Sequence, residues 1–211
     1  MSDEVLARHD VALVRAGNPG PFTLEGTNTW IVGRDPAWVV DPGPDLPDHP
    51  HAVADEVGRR GGLGGVALTH GHGDHAGGLP ALLEVAGMAP VGALDAGDTP
   101  LHDADRFGPL VAVTTPGHSP DHLAFVAGAV CFTGDAVLGH GSVFVTAALA
   151  DYLAGLRRLR ALPLEVLCPG HGPTVADPAA KLDEYIAHRL DRERRLLEAL
   201  ARGLKSEDDL L

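Results

Sequence analysis

One stretch, His70-Gly71-His72-Gly73-Asp74-His75, constrains this chain more than any other. His70, His72, Asp74 and His75 carry groups that bind metals, and Gly71 and Gly73 keep the loop between them narrow. The stretch follows Val66-Ala67-Leu68-Thr69, which reads as a short buried strand, and precedes an apolar run of helical character over 76–85. On a helix, side chains at i, i+2, i+4 and i+5 would not face one point, because neighbours lie three and four apart. A loop at the end of a strand can aim all of them together. The expectation is a metal loop at a strand end, in a fold that brings further ligands to it.

The chain has 211 residues, which suits one sizeable domain, alone or with a small appendage. Hydrophobic residues make up 45% and charged residues 21%, a globular composition. Aromatics are only 4%, so the core is expected to rest mainly on Val, Leu and Ala. The net charge of -13 disfavours extended contact with nucleic-acid phosphate, while 12 histidines suit a metalloprotein. Cys131 and Cys168 sit far apart in apolar runs with no Cys-x-x-Cys, which predicts reduced, buried thiols. Met1-Ser2-Asp3-Glu4 is acidic with no apolar run behind it. The expectation is therefore a cytoplasmic protein without signal peptide, lipid anchor or membrane partner.

Apolar runs predict strands over 11–14, 29–32, 38–40, 66–69, 90–94, 111–113, 123–126, 129–132 and 164–167. Helices are expected over 51–60, 76–85, 147–162 and 178–201. The last has Asp177 as N-cap, Pro178 in its first turn and Gly203 beyond its end. Ser206-Glu207-Asp208-Asp209 resembles a capping box for another helix. The glycine-rich segment 61–65 reads as a flexible joint; it lacks the Gly-Lys-Ser/Thr of a phosphate loop. Strands alternating with helices in two successive halves argue for a layered α/β domain. His70, His118, Asp135 and His171 all fall just after strands, so they could converge at one edge of a sheet.

His70-x-His72-x-Asp74-His75, Pro116-Gly117-His118, Thr133-Gly134-Asp135 and Pro169-Gly170-His171 occur in an order and spacing that resembles the metallo-β-lactamase fold superfamily. The resemblance runs from about position 11 to position 175. It implies an αββα sandwich with metals at one edge of two sheets. A catalytic domain would span 1–176, and 177–211 would form a long C-terminal helix ahead of a truncated or vestigial element. His70, His72 and His118 resemble the ligands of a first metal, and Asp74, His75 and His171 those of a second. Asp135 resembles the carboxylate that bridges them. Such donors suit two Zn²⁺, with Mn²⁺ or Fe as alternatives. A bridging water would ionise near neutrality and serve as nucleophile, with Asp74 orienting it and passing on a proton. Asp135 in place of Cys is similar to the glyoxalase II-like and nuclease-like branches rather than the secreted β-lactamases. The nearest resemblance is to the β-lactamase-like protein 2 branch. It rests on Glu25-Gly26-Thr27-Asn28-Thr29-Trp30, Phe132 to Asp135 with Leu138-Gly139, and Tyr185-Ile186-Ala187-His188-Arg189 with Arg192-Glu193.

These residues predict a binuclear zinc hydrolase acting on a small acyl ester, thioester or lactone. The alternatives are an endoribonuclease for single-stranded RNA and a mononuclear iron dioxygenase of the persulfide type. A small molecule is the expected partner, ahead of nucleic acid, and pairing of two copies as a homodimer stays open. Asn28 and His140, with His188 and Arg189 on the long helix, are the expected substrate contacts. Arg189, Arg192, Arg194 and Arg195 read either as a phosphate strip or as a solvated face with pairs such as Asp191–Arg195. Asp41, Thr69 and Thr115 could orient a metal-bound histidine. His122 reads as structural, and His9, His49, His51 and His102 as solvent-facing.

Overall fold

A computed structural model describes residues 2–94 and 97–203, so the capping-box segment at 206–209 lies outside the described residues. The first half runs α1 (Ser2–Arg8), β1 (Val11–Arg15), β2 (Asn28–Val32), β3 (Ala37–Val40), α2 (His49–Arg59), β4 (Leu63–Ala67), α3 (Gly73–Ala76), α4 (Leu79–Ala86), β5 (Val91–Ala93) and β6 (Thr99–Pro100). The second runs β7 (Arg106–Phe107), β8 (Leu110–Thr114), β9 (Leu123–Ala127), β10 (Val130–Gly134), α5 (Leu149–Arg160), β11 (Val166–Pro169) and α6 (Pro178–Ala201). One sheet has the order β1-β2-β3-β4-β5-β6 and the other β11-β10-β9-β8-β7.

Alternation along the strands sorts side chains into three cores. Trp30, Val32, Val40, Leu123, Phe125, Phe132, Val166 and Cys168 fill the space between the two sheets. Their neighbours Ile31, Val39 and Val66 turn outward, onto Val53 and Val57 of α2 and Leu82 of α4. Ala124, Cys131 and Leu167 turn the other way, onto Tyr152, Leu156 and Leu159 of α5 and Leu182 and Tyr185 of α6. The layers are thus helix, sheet, sheet, helix, the expected αββα sandwich. Strands buried on both faces read as continuous apolar runs, which is why they were visible in the sequence. The few aromatics are concentrated: Trp30, Phe125, Phe132 and Tyr152 are among the largest fully buried side chains. Around them the core is made mainly from Val, Leu and Ala, as the composition led one to expect.

Two local expectations are corrected. Segment 61–65 is not a joint, because Leu63, Gly64 and Gly65 belong to β4. A Cβ on Gly65 would stand 2.4 Å from the Trp38 ring, so glycine there makes room for an indole crossing from β3. The run over 76–85 is not one helix; α3 and α4 are separated at Gly77-Gly78, where a Cβ on Gly78 would meet the carbonyls of Pro42, Gly43 and Pro44. Helix α1 and the two-residue strands β6 and β7 were not anticipated. Among the described residues, no helix is long and apolar enough to cross a membrane.

Candidate metal centre

Five strand ends deliver the site. Asp41 follows β3, the His70–His75 loop follows β4, His118 follows β8, Asp135 follows β10 and His171 follows β11. Backbone constraints aim them. Gly134 has φ +47, and a Cβ on it would stand 2.6 Å from Thr69 Oγ1, so the Gly before Asp135 answers both conformation and space. A Cβ on Gly170 would stand 2.5 Å from the His75 ring and 2.7 Å from Asp135 Oδ1. Asp41 itself adopts φ 54, a left-handed geometry that Asp tolerates better than most residues.

The side chains gather into two clusters. In the first, His72 Nδ1 lies 3.0 Å from His70 Nε2 and 3.0 Å from His118 Nε2. In the second, His171 Nε2 lies 3.2 Å from His75 Nε2 and 3.2 Å from Asp74 Oδ2. Asp135 stands between them. Its Oδ1 is 3.4 Å from both His75 Nε2 and His171 Nε2, while its Oδ2 is 3.6 Å from His118 Nε2.

One buried carboxylate orients both clusters. Asp41 Oδ1 accepts from the Thr69 N–H at 2.7 Å, and Oδ2 accepts from the Thr69 hydroxyl at 2.7 Å. With its proton committed to Asp41, Thr69 Oγ1 is left to accept from His70 Nδ1 at 3.0 Å. Asp41 Oδ2 also pairs with His75 Nδ1 at 2.8 Å. His118 Nδ1 lies 3.2 Å from the carbonyl oxygen of Phe144. In each case an oxygen acceptor fixes Nδ1–H and turns the Nε2 lone pair toward its cluster. His122 does more than pack. Its Nε2 accepts from the Asp135 N–H at 3.1 Å, so its Nδ1–H donates to Thr115 Oγ1 at 2.8 Å, and the bridge position is held from its backbone. Asp121 Oδ2 accepts from the Gly71 N–H and pins the loop from outside.

The clusters differ electrostatically. Burial, reinforced by the charges of His75 and His122, depresses His70 to about 2, and burial takes His122 to about 3. Burial also opposes charge on His171 and His75. For His171, the nearby carboxylates of Asp135 and Asp74 outweigh it and lift the pKa to about 9. For His75, Asp135 and Asp41 outweigh it and hold the ring well above the usual histidine range. Burial opposes ionisation of Asp74, but His171 and His75 bring it down to about 2.

The donor set fits divalent cations. His70 and His118 both present lone pairs to His72 Nδ1, which can carry one proton at most, so three imidazoles this close leave a lone pair unmet without a cation. Buried Asp135 Oδ1 has no hydrogen-bond partner. Among the described residues, three sets of donor atoms, each mutually within 4.8 Å, are His70-His72-His118, His70-His75-Asp135 and Asp74-His75-His171. Such clusters are compatible with a metal site.

The other expected site residues fare differently. Asn28 is fully buried; its amide donates to the carbonyls of Pro169 and Gly172 and accepts from Arg15 Nε. Its donors are consumed in clamping the loop that carries His171, so it cannot contact substrate. Arg189 is also committed, donating to Ser142 Oγ and the Val143 carbonyl and lying over the Tyr152 ring. His188 is exposed on α6 and hydrogen-bonds to no residue of the clusters. His140 is half-exposed at the rim, 3.7 Å from the Glu25 carboxylate. His49, expected to face solvent, is buried, with Nε2 2.9 Å from Thr29 Oγ1. Nothing in the sequence around His122 signalled its tie to Asp135; only the cross-strand geometry reveals it.

Residues 22–109 and 90–171 match the family model described as the Metallo-beta-lactamase superfamily. The chain belongs to the metallo-beta-lactamase superfamily. Lactamase-like protein nscB of Arthroderma gypseum is 39% identical over 206 residues, covering 92% of this chain and 66% of that protein. Lactamase-like protein vrtG of Penicillium aethiopicum is 38% identical over 207 residues, covering 92% and 67%. The chain spans about two thirds of the length of these curated relatives. Among solved structures, the metallo-beta-lactamase family protein TTHA1429 from Thermus thermophilus shares the fold. Its TM-score is 0.74 at 23% identity, over 90% of this chain and 82% of that one. TTHA1623, solved in a di-iron-bound form, gives a TM-score of 0.63 at 29% identity over 80% and 96%. Metallo-beta-lactamase relatives thus surround this chain in both sequence and fold.

Proposed function

We propose that this chain is a two-metal hydrolase of a small acyl ester, thioester or lactone. The observation that carries this reading is Asp135, which stands between two complete triads and turns one carboxylate oxygen toward each. His70, His72 and His118 would hold one cation, Asp74, His75 and His171 the other, and Asp135 both. Two divalent cations supply an activated water and a Lewis acid for an acyl oxygen.

The chain's own residues do the rest. Asp41 orients His75 directly and His70 through Thr69. His122 holds the Asp135 backbone. Asp74 is 31% exposed and is the cluster carboxylate best placed to exchange a proton with solvent at Oδ. Arg194 and Arg195 pair with Asp191 and Glu198 on their own helix, and Arg189 braces a loop. That leaves little of a phosphate strip, which together with the charge of -13 favours an acyl compound over RNA. The second, complete triad favours two metals over a single iron.

The test is metal analysis of the purified protein, followed by a thioester, ester and lactone panel beside labelled single-stranded RNA. Two metal equivalents per chain with acyl turnover are expected. RNA cleavage that Asp135→Asn abolishes, with no acyl hydrolysis, would overturn the reading, as would one iron per chain and no zinc.

A further inference from the structure

Two phenylalanines stand in water beside this centre. Phe22 is 74% exposed and Phe144 is 68% exposed. They come from loops far apart in the chain, yet their rings meet edge-to-face with centroids 6.0 Å apart. An edge-to-face contact contributes about 0.5–1.5 kcal/mol, too little to account for two phenyl rings left largely in solvent. In a chain with only five phenylalanines, such a pair calls for a use.

Its position suggests one. The Phe144 carbonyl lies 3.2 Å from His118 Nδ1, and Thr146 Oγ1 donates to the His118 carbonyl at 2.7 Å, so the Phe144 loop is fastened to the first cluster. The Phe22 loop is fastened to the second. Thr27 bridges to His171, the Asn28 N–H donates to the Gly170 carbonyl at 2.8 Å, and Leu24 lies against Gly172. A second contact ties the same loops, Glu25 with His140 at 3.7 Å. The rim shared by both clusters therefore carries an exposed apolar pair, and the Phe22 loop also carries the Glu25 carboxylate, which pairs with His140. Apolar rings gain from covering by a large apolar group, and an ionised group held against them would lose hydration without a partner.

We infer that the Phe22–Phe144 pair selects the acyl part of the substrate, and that this part is an uncharged, bulky apolar group of aromatic-ring size. The inference rests on the acyl-hydrolase reading of the centre and names its substrate class.

The test compares N-acetylcysteamine thioesters of 2-naphthoate and acetate on the metal-loaded protein and on the Phe22→Ser/Phe144→Ser double variant. Circular dichroism and metal content verify folding and loading, and Phe144→Leu serves as a conservative control. The wild type is expected to favour naphthoyl over acetyl in kcat/KM. The double variant is expected to lose about tenfold of that preference, chiefly through KM, with Phe144→Leu intermediate. Binding of N-ethyl-2-naphthamide, followed by fluorescence, should weaken in parallel and needs no turnover. An unchanged naphthoyl-to-acetyl ratio, or naphthamide binding equal in both proteins, overturns the inference. If no thioester turns over while naphthamide binding still depends on the pair, the hydrolase reading fails and the rim selectivity stands.

Discussion

The two clusters share Asp41 and Asp135 yet are built on different principles. The first is made of imidazoles alone, on loops that reach the surface, and burial keeps His70 neutral. The second sets His75 and His171 against the carboxylates of Asp41, Asp74 and Asp135, which favour positive charge there. Protons can therefore stand in for a cation in the second cluster, while the first has only lone pairs to offer. The arrangement teaches that two neighbouring sites of similar geometry can make opposite demands on their surroundings, and that the residues between them set the coupling.

The sharpest way to break the comparison is Asp135→Asn, because both clusters lose one negative charge at once. Acyl turnover is expected to fall by roughly three orders of magnitude, the scale of several kcal/mol of lost charge stabilisation. Metal analysis should show loss at both sites. Retention of two tightly held metals would show that Asp135 does not couple the clusters. Next comes Asp41→Asn, which touches no cation yet reaches His75 directly and His70 through Thr69. A loss of about 10–100-fold in metal affinity is expected at both clusters, read by competition with a chromophoric chelator. Thr69→Val separates them. It removes the relay to His70 and leaves the Asp41–His75 contact in place, so about tenfold weaker binding should appear in one of two binding steps. Equal weakening of both steps would mean that Thr69 supports the loop as a whole.

These residues were unequally legible. The His70–His75 stretch announced itself because no single regular element could aim all four side chains at one point; the turn α3 carries Asp74 and His75. Most strands announced themselves because both their faces are buried. Asn28 misled because a polar residue ahead of an apolar strand looks the same whether it faces a pocket or a neighbouring loop. Its amide donates to the carbonyls of Pro169 and Gly172, far along the chain. Segment 61–65 misled for a similar reason: glycines that loosen a chain and glycines that admit Trp38 have the same letters. His122 and Arg189 act through cross-chain contacts that carry no local periodicity. Asp41 was partly legible, since a carboxylate ending a strand suggested an orienting role, but its reach to both clusters depends on the position of Thr69. Chemistry-bearing types were thus readable where spacing was unusual, and unreadable where a role depends on which distant backbone sits alongside.

The smallest effect, and the most direct comparison of the clusters, is the pH dependence of the metal-free protein. His171 and His75 have folded-state pKa values above those of the unfolded chain. Their contribution to stability is fully present below the unfolded value of about 6.5; that of His171 is lost as pH rises through about 9, and that of His75 as pH rises through its raised folded value. His70 and His122 are shifted the other way, to about 2 and about 3, so they bind fewer protons when folded. Their neutral burial costs nothing at neutral pH and costs progressively more as pH falls below about 6.5. The clusters therefore erode stability on opposite sides of neutrality. Calorimetry with chelator present should give a melting temperature that peaks near neutral pH and drops by a few degrees on each side, at roughly 2–4 °C per kcal/mol for a chain of this size. Bound cations replace the protons of the second cluster, so the metal-loaded protein should lose the alkaline slope. A metal-free melting temperature that climbs steadily from pH 7 to 9 would show that the second cluster does not hold its protons, and the electrostatic contrast between the clusters would be wrong.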